Sequence, residues 1–278
     1  MRFAESQLAL PLAALFVAFF LAPLVILLAL SLHAGPEAGT LTAAHYVKFF
    51  TDPFNYSILW DTLLLGLKAT LLCLVFGYPI AWISARASAR WQSVLVFLVI
   101  LPILTSVVVR TFAWIVILGR QGVLNQAALG LGLTSEPLRL LYTEFGVVLV
   151  LVQVQMPLMV LPILTVLSKA DPNLADASRA LGAGEWRTLW RVTVPLSLPG
   201  VIAGCILTYS ACVTAFVTQS LIGGARLLYM PLHIYQQAIG ANNWPFAAAI
   251  SVIFLIAVLA AISVLNLLGR GSNSHGRA

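Results

Sequence analysis

Residues 145–167 read FGVVLVLVQVQMPLMVLPILTVL, a run without a single charged side chain. About 20 apolar residues are what an α-helix needs to cross roughly 30 Å of hydrocarbon, where no water is present to satisfy a free backbone amide. Pro157 and Pro162 fit such a helix, because neighbouring helices can re-satisfy the carbonyls they free. Working outward, five further runs qualify: Leu8 to Leu32, Ile58 to Ser84, Val94 to Leu118, Pro199 to Leu221 and Phe246 to Leu268. The expectation is an all-α membrane protein of six transmembrane helices in one domain over residues 1–278, kinked at Pro23, Pro79 and Pro102. The first run exceeds the core of about 7 to 15 residues found in signal peptides, so it reads as a retained span.

Composition excludes the main alternatives. Charged residues make up 9% of the chain and hydrophobic ones 61%, with mean hydropathy +1.00, against about 25% charged in soluble domains. The formal net charge of +6 is spread between apolar runs and builds no basic face for nucleic acid. Cys73, Cys205 and Cys212 fall inside apolar runs and read as packing residues, with neither a disulfide framework nor a metal site. No repeat is visible, and the polar tail Gly269 to Ala278 is expected to be disordered.

Orientation follows from the excess of Lys and Arg on the cytoplasmic side. Alternate connections carry nine on one side (Arg2, Arg86, Arg90, Lys169, Arg179, Arg187, Arg191, Arg270, Arg277) and four on the other (Lys48, Arg120, Arg139, Arg226). Both termini then face the cytoplasm, as do the connections Ala85 to Ser93 and Ser168 to Leu198. The outer connections are His33 to Ser57, Gly119 to Glu144 and Ile222 to Pro245.

The long cytoplasmic connection carries the functional signal. In Asp171 to Gly182, DPNLADASRALG, Asp171 can cap the first amides, Pro172 suits the first helical position and Gly182 can take the left-handed conformation that ends a helix. Leu174, Ala177, Ser178 and Leu181 recur at i, i+3, i+4 and i+7 and make one small apolar face. A second segment, Gly184 to Val194, is expected to form a separate helix with Trp186, Leu189 and Trp190 as its stripe. Two readings stand at this point: an amphipathic loop on the bilayer surface, or a docking element whose small residues fit a groove of a partner.

Asp176-Ala177-Ser178, three residues, Gly182, nine residues and Val192-Thr193-Val194-Pro195 resemble the "EAA" signature of binding-protein-dependent ABC permeases, E-A-A-x3-G-x9-I-x-L-P. Asp stands for Glu and Ser for Ala, and the spacing is kept. Val109-Arg110-Thr111 with Trp114, Gly122 to Asn125, Leu141-Tyr142-Thr143, Pro195 to Gly200 and Gly223-Gly224 extend the resemblance to the spermidine/putrescine type. The resemblance implies the type I, MetI-like permease fold in a bacterial cytoplasmic membrane and a polyamine solute. It implies three partners: a dimer of ABC ATPase subunits that binds ATP and magnesium, a second and non-identical permease chain, and an outer solute-binding protein. Docking would fall to Asp171, Leu174, Asp176, Ala177, Ser178, Ala180, Leu181, Gly182, Ala183 and Glu185. The sequence has no Gly-Lys pair, hence no phosphate-cradling loop, so this chain is expected to be neither an enzyme nor a cofactor binder.

Ionisable groups inside a span are functional by default. Asp61 and Lys68 in the second run and Arg110 in the third are such groups. Seven residues put Asp61 and Lys68 on one face about 10 Å apart, too far for direct pairing. Together with Trp114, Tyr209, Phe216 and Gln219 they form the candidate pathway. Structural pairing and snorkelling of the two cations stand as the alternative. Because a polyamine is cationic, the two cations also keep an anionic or zwitterionic solute such as an aminoalkylphosphonate open. A secondary transporter would need a buried carboxylate or unwound site near mid-membrane, and no acid lies centrally in any run. His33, His45, His233 and His275 fall in loops or the tail, which disfavours an intramembrane enzyme.

Overall fold

The computed structural model describes residues 11, 14–33 and 41–273. Its elements are α1 (Ala14–Ser31), α2 (Ala44–Thr51), α3 (Pro53–Arg86), α4 (Ala89–Ile100), α5 (Val107–Leu118), α6 (Val123–Gly130), α7 (Glu144–Lys169), α8 (Pro172–Ala180), α9 (Glu185–Val213), α10 (Phe216–Gly223), α11 (Met230–Tyr235) and α12 (Trp244–Asn273). Six helical stretches are long and apolar enough to span: α1, α3, α5 with α6, α7, α9 and α12. The expected number holds; several boundaries do not.

The third run is not one helix. α4 tightens into a 3-10 turn, Leu101–Leu104, and stops at an extended Thr105 before α5 begins. Pro102 lacks an N–H, and the Thr105 hydroxyl donates to the Pro102 carbonyl at 3.0 Å, occupying an acceptor that a further turn would have used. The fifth span begins at Glu185 rather than Pro199, so the segment expected as a separate helix is its first part. A π turn at Leu189–Thr193 widens the helix, with the Val194 amide reaching back to Leu189, and this makes room for the ring of Pro195, which would press on the carbonyl four residues earlier. The same span ends at Val213 instead of Leu221. α12 continues to Asn273, so residues 269–273 are helical rather than disordered; Gly269 and Gly271 weaken a helix that is already propagating without stopping it. Residues 274–278, and 8–10 with 12–13 of the first run, lie outside the described residues.

The chain divides into two compact units, residues 1–59 with 230–257 and residues 60–229 with 258–278. In the second, α7 is the most enclosed span, and α9 seats Gly200 and Gly204 against it. A Cβ on Gly200 would come within 2.8 Å of the Pro162 carbonyl oxygen, and one on Gly204 within 3.0 Å of the Met159 carbonyl. In a membrane, where lipid is as apolar as leucine, such backbone contact is a main source of helix association. α3 closes the other side: Gly66 receives Tyr209 and Val213, and the buried Cys73 thiol donates to the Val152 carbonyl at 3.5 Å. All three cysteines are free, with Cys73 and Cys212 buried, as packing residues.

In the first unit, the Ser31 and Tyr46 hydroxyls share a 2.6 Å hydrogen bond, and Lys48 sits over the Phe246 ring. Asn55 donates to Asp52 at 2.9 Å, which leaves its amide oxygen to accept from the buried His233 Nε2 at 2.9 Å. Burial holds the His233 imidazole below its ordinary 6.5, against the opposing pull of Asp52. The neutral ring therefore supports the folded state fully above 6.5, and that support is lost as pH falls from 6.5 through the lower folded value.

Thermal melts of the purified protein should drop as the pH is lowered below 6.5, and His233→Gln should flatten that dependence; an unchanged profile would exclude His233 as its source. Gly200→Leu should destabilise the α7–α9 contact by about 1–3 kcal/mol through overpacking, read as a lower melting temperature; a melt like that of the parent would show the contact to be loose.

Candidate docking helix and solute path

α8 is built as its sequence dictates. The Asp171 carboxylate accepts from the Asn173 amide at 2.9 Å. At the other end the Gly182 amide donates to Arg179 at 2.9 Å and the Ala183 amide to Ser178 at 3.1 Å, with Gly182 at φ +82°. This pair of bonds is the Schellman closure, which needs a left-handed residue at the position Gly182 holds. Arg179 bridges Asp176 at 3.2 Å and Glu185 at 3.5 Å, and the Ser178 and Thr188 hydroxyls meet at 3.1 Å. The docking helix is thus tied at two points to the start of α9. Of the ten candidate docking residues, all but Ser178 and Ala183 are exposed. Leu181 is 89% exposed and Trp186 75%, which leaves large apolar side chains uncovered on a short, otherwise polar element, as a contact surface does. No atom lies within 4 Å of where a Cβ on Gly182 or Gly184 would stand, so the space in front of the turn is open.

The second feature is the pair of interruptions inside apolar runs, at Thr105–Ser106 and at Thr214–Ala215. Irregular backbone at membrane depth survives only where it is buried in protein or lines a cavity. Both interruptions border one cavity of about 510 Å³, lined by Thr105, Arg110, Gln155, Thr214, Phe216 and Thr218 among others. Each has a side-chain cap for its loose carbonyls. The Arg110 guanidinium donates to the Pro102 carbonyl, and the Gln219 amide donates to the Cys212 and Val213 carbonyls at 2.8 and 3.2 Å.

The candidate pathway residues separate accordingly. Arg110 and Phe216 line the cavity. Tyr209 is 3% exposed and Gln219 1%, so neither borders open space: Tyr209 fills the notch over Gly66, and Gln219 serves as the cap just described. Polar composition suggested lining positions, and packing enclosed them. Trp114 is half-buried, with its indole N–H donating to Gln153 at 3.0 Å. Lys68 does not pair with Asp61; its ammonium bonds Glu144 at the start of α7, while Asp61 and Lys68 border a smaller cavity with Glu144 and Tyr229.

Glu144, Gln153, Gln155, Thr105 and Tyr229 were not singled out from sequence. Glu144 had a usable signal, as the acid bordering the fourth apolar run and so free to serve a lysine near the end of another. The interruption at Thr214 had none, because no proline or glycine lies between Gly204 and Gly223.

Residues 77–272 match the family described as binding-protein-dependent transport system inner membrane component. The spermidine/putrescine transport system permease protein PotB of Haemophilus influenzae is 35% identical over 215 residues, which cover 77% of this chain and 75% of the relative. PotB of Escherichia coli (strain K12) is 36% identical over 215 residues, covering 77% and 78%. Among solved structures, a chain of a bacterial ABC transporter involved in the import of the acidic polysaccharide alginate superposes with a TM-score of 0.78 at 18% identity, covering 96% of this chain and 95% of that one, which attests the fold. Six apolar helices and these matches agree: the chain belongs to the inner membrane components of binding-protein-dependent transport systems, the multi-pass permease subunits of ABC importers.

Proposed function

We propose that this permease subunit carries a polyamine, spermidine and putrescine being the solutes in the names of its PotB relatives. The observation that carries the reading is the state of the two cations within the spans. Lys68 is neutralised by Glu144, and Arg110 is committed to the carbonyl end of a helix, the negative pole of its dipole. Lys68 is therefore left with no net charge to repel a cationic solute, and Arg110, which keeps its charge, is drawn to a helix end.

An ABC ATPase dimer supplies the work, with ATP and magnesium held by that dimer, and a solute-binding protein delivers the polyamine. A second, similar but non-identical permease chain completes the path. The nine-to-four distribution of basic residues supports cytoplasmic termini and a cytoplasmic α8. α8 then acts as the lever. Closure of the ATPases displaces it, and the Arg179–Glu185 and Ser178–Thr188 contacts pass the movement to α9. α9 has 29 residues and runs about 43 Å at roughly 1.5 Å per residue before ending at the Thr214 interruption beside the cavity. A push at the docking end therefore reaches the cavity through one continuous rod.

Co-expressed with its ATPase, second permease and binding protein and reconstituted into vesicles, the chain should take up spermidine against a gradient with ATP inside the cytoplasmic compartment; uptake of some other solute, with amines ignored, would overturn the polyamine reading. In the same preparation Ala177→Asp should abolish uptake while the chain remains in the membrane. Gly182→Ala should weaken the helix cap by about 1–2 kcal/mol, the cost of a left-handed non-glycine residue, and lower the ATPase recovered with the permease. Full ATPase recovery and full uptake in both variants would remove α8 from the coupling.

A further inference from the structure

At the end of α7 remote from the docking loop lies a cavity of about 210 Å³, lined by Asp61, Leu64, Lys68, Glu144, Arg226 and Tyr229 with two neighbouring leucines. Its four charged side chains are exposed, and Tyr229 beside them is buried. Tyr229 is only 5% exposed, yet its hydroxyl makes no hydrogen bond among the described residues. Asp61 borders the same space with no ion-pair or hydrogen-bond partner among the described residues. The Tyr229 hydroxyl and the Asp61 carboxylate, neither with a hydrogen-bond partner among the described residues, both border this one small polar space, where each can accept from an incoming donor. The Tyr229 phenol is held above its ordinary range by burial, then by Glu144 and Asp61, which places both carboxylates in electrostatic reach of the hydroxyl. The third acceptor, Glu144, is occupied by the ammonium of Lys68, which arrives on a flexible four-carbon stem.

We infer that this cavity is an ammonium-exchange site at the mouth of the path, where Lys68 is a tethered placeholder and a primary ammonium of the incoming solute displaces it from Glu144, with Asp61 and Tyr229 completing the new contacts. The volume of about 210 Å³ is ample for an aminoalkyl group, and the site grips one ammonium terminus of the solute. Asp61, Glu144, Lys68 and Arg226 sum to zero formal charge. Replacing one ammonium by another leaves that sum unchanged, and Arg226 keeps the two carboxylates from holding a second cation. An ammonium donates three hydrogen bonds and carries charge that an aromatic ring accepts, which matches two carboxylates and a phenol. The exchange is reversible because the displaced lysine stays attached and competes for Glu144, so the solute is held and then released.

This inference rests on the polyamine reading, and its test separates the two. Spermidine uptake is measured against external concentration in vesicles holding the whole transporter, with the parent chain, Asp61→Asn, Glu144→Gln and Lys68→Met, and recovery of the intact complex is checked for each. Asp61→Asn and Glu144→Gln should raise KM about tenfold. Lys68→Met should move the other way, lowering KM severalfold and lowering the maximal rate, because nothing then competes the solute off. A merely structural Lys68–Glu144 bridge predicts that Lys68→Met and Glu144→Gln, which break the same bond, shift KM together. That shared shift, or parental kinetics in all three variants, would overturn the exchange site while leaving the polyamine reading in place. A parent complex that transports no amine would overturn both.

Discussion

In a medium without water every backbone carbonyl must find a partner within the protein, and this one requirement shapes the interior of the permease. Two apolar runs are interrupted, and each interruption frees carbonyls at depth. The Arg110 guanidinium takes one at the end of the 3-10 turn after α4, and the Gln219 side chain takes two at the end of α9. With those acceptors satisfied, irregular backbone can border the 510 Å³ cavity. Arg110, which inspection of a span would assign to solute recognition or snorkelling, also has a structural task. The polar residues that permit a path in this chain include ones that do not line it.

The same accounting links the path to the docking helix. A π turn at Leu189–Thr193 accommodates Pro195, so α9 is uninterrupted from Glu185, next to the docking helix, to Val213, next to the cavity. Gly200 and Gly204 seat this helix closely on the backbone of α7. Placing Leu or Val at either glycine would push the helices apart.

Electrostatics follows from sequence-distant pairing. Lys68 and Glu144 lie 76 residues apart and meet because α3 and the start of α7 come together. Their bond neutralises a cation that lies within an apolar helix. It also leaves Asp61 and the Tyr229 hydroxyl bordering a small cavity without a hydrogen-bond partner among the described residues.

What the chain determined by itself was local. Six hydrophobic helices follow from the length and purity of apolar runs, a property of neighbouring residues. The docking helix was legible almost residue by residue, because an Asp cap, a proline in the first turn and a left-handed glycine act within a few positions of one another, and Asp171, Gly182 and Ala183 stand as those rules require. Tertiary structure decided the rest. It chose Glu144 over Asp61 as the partner of Lys68, enclosed Tyr209 against Gly66, and turned Gln219 into a cap for a break at Thr214 that no proline or glycine announces. Those outcomes depend on which helices touch and at what depth, and a helical pattern fixes the face a side chain occupies without fixing what lies opposite it.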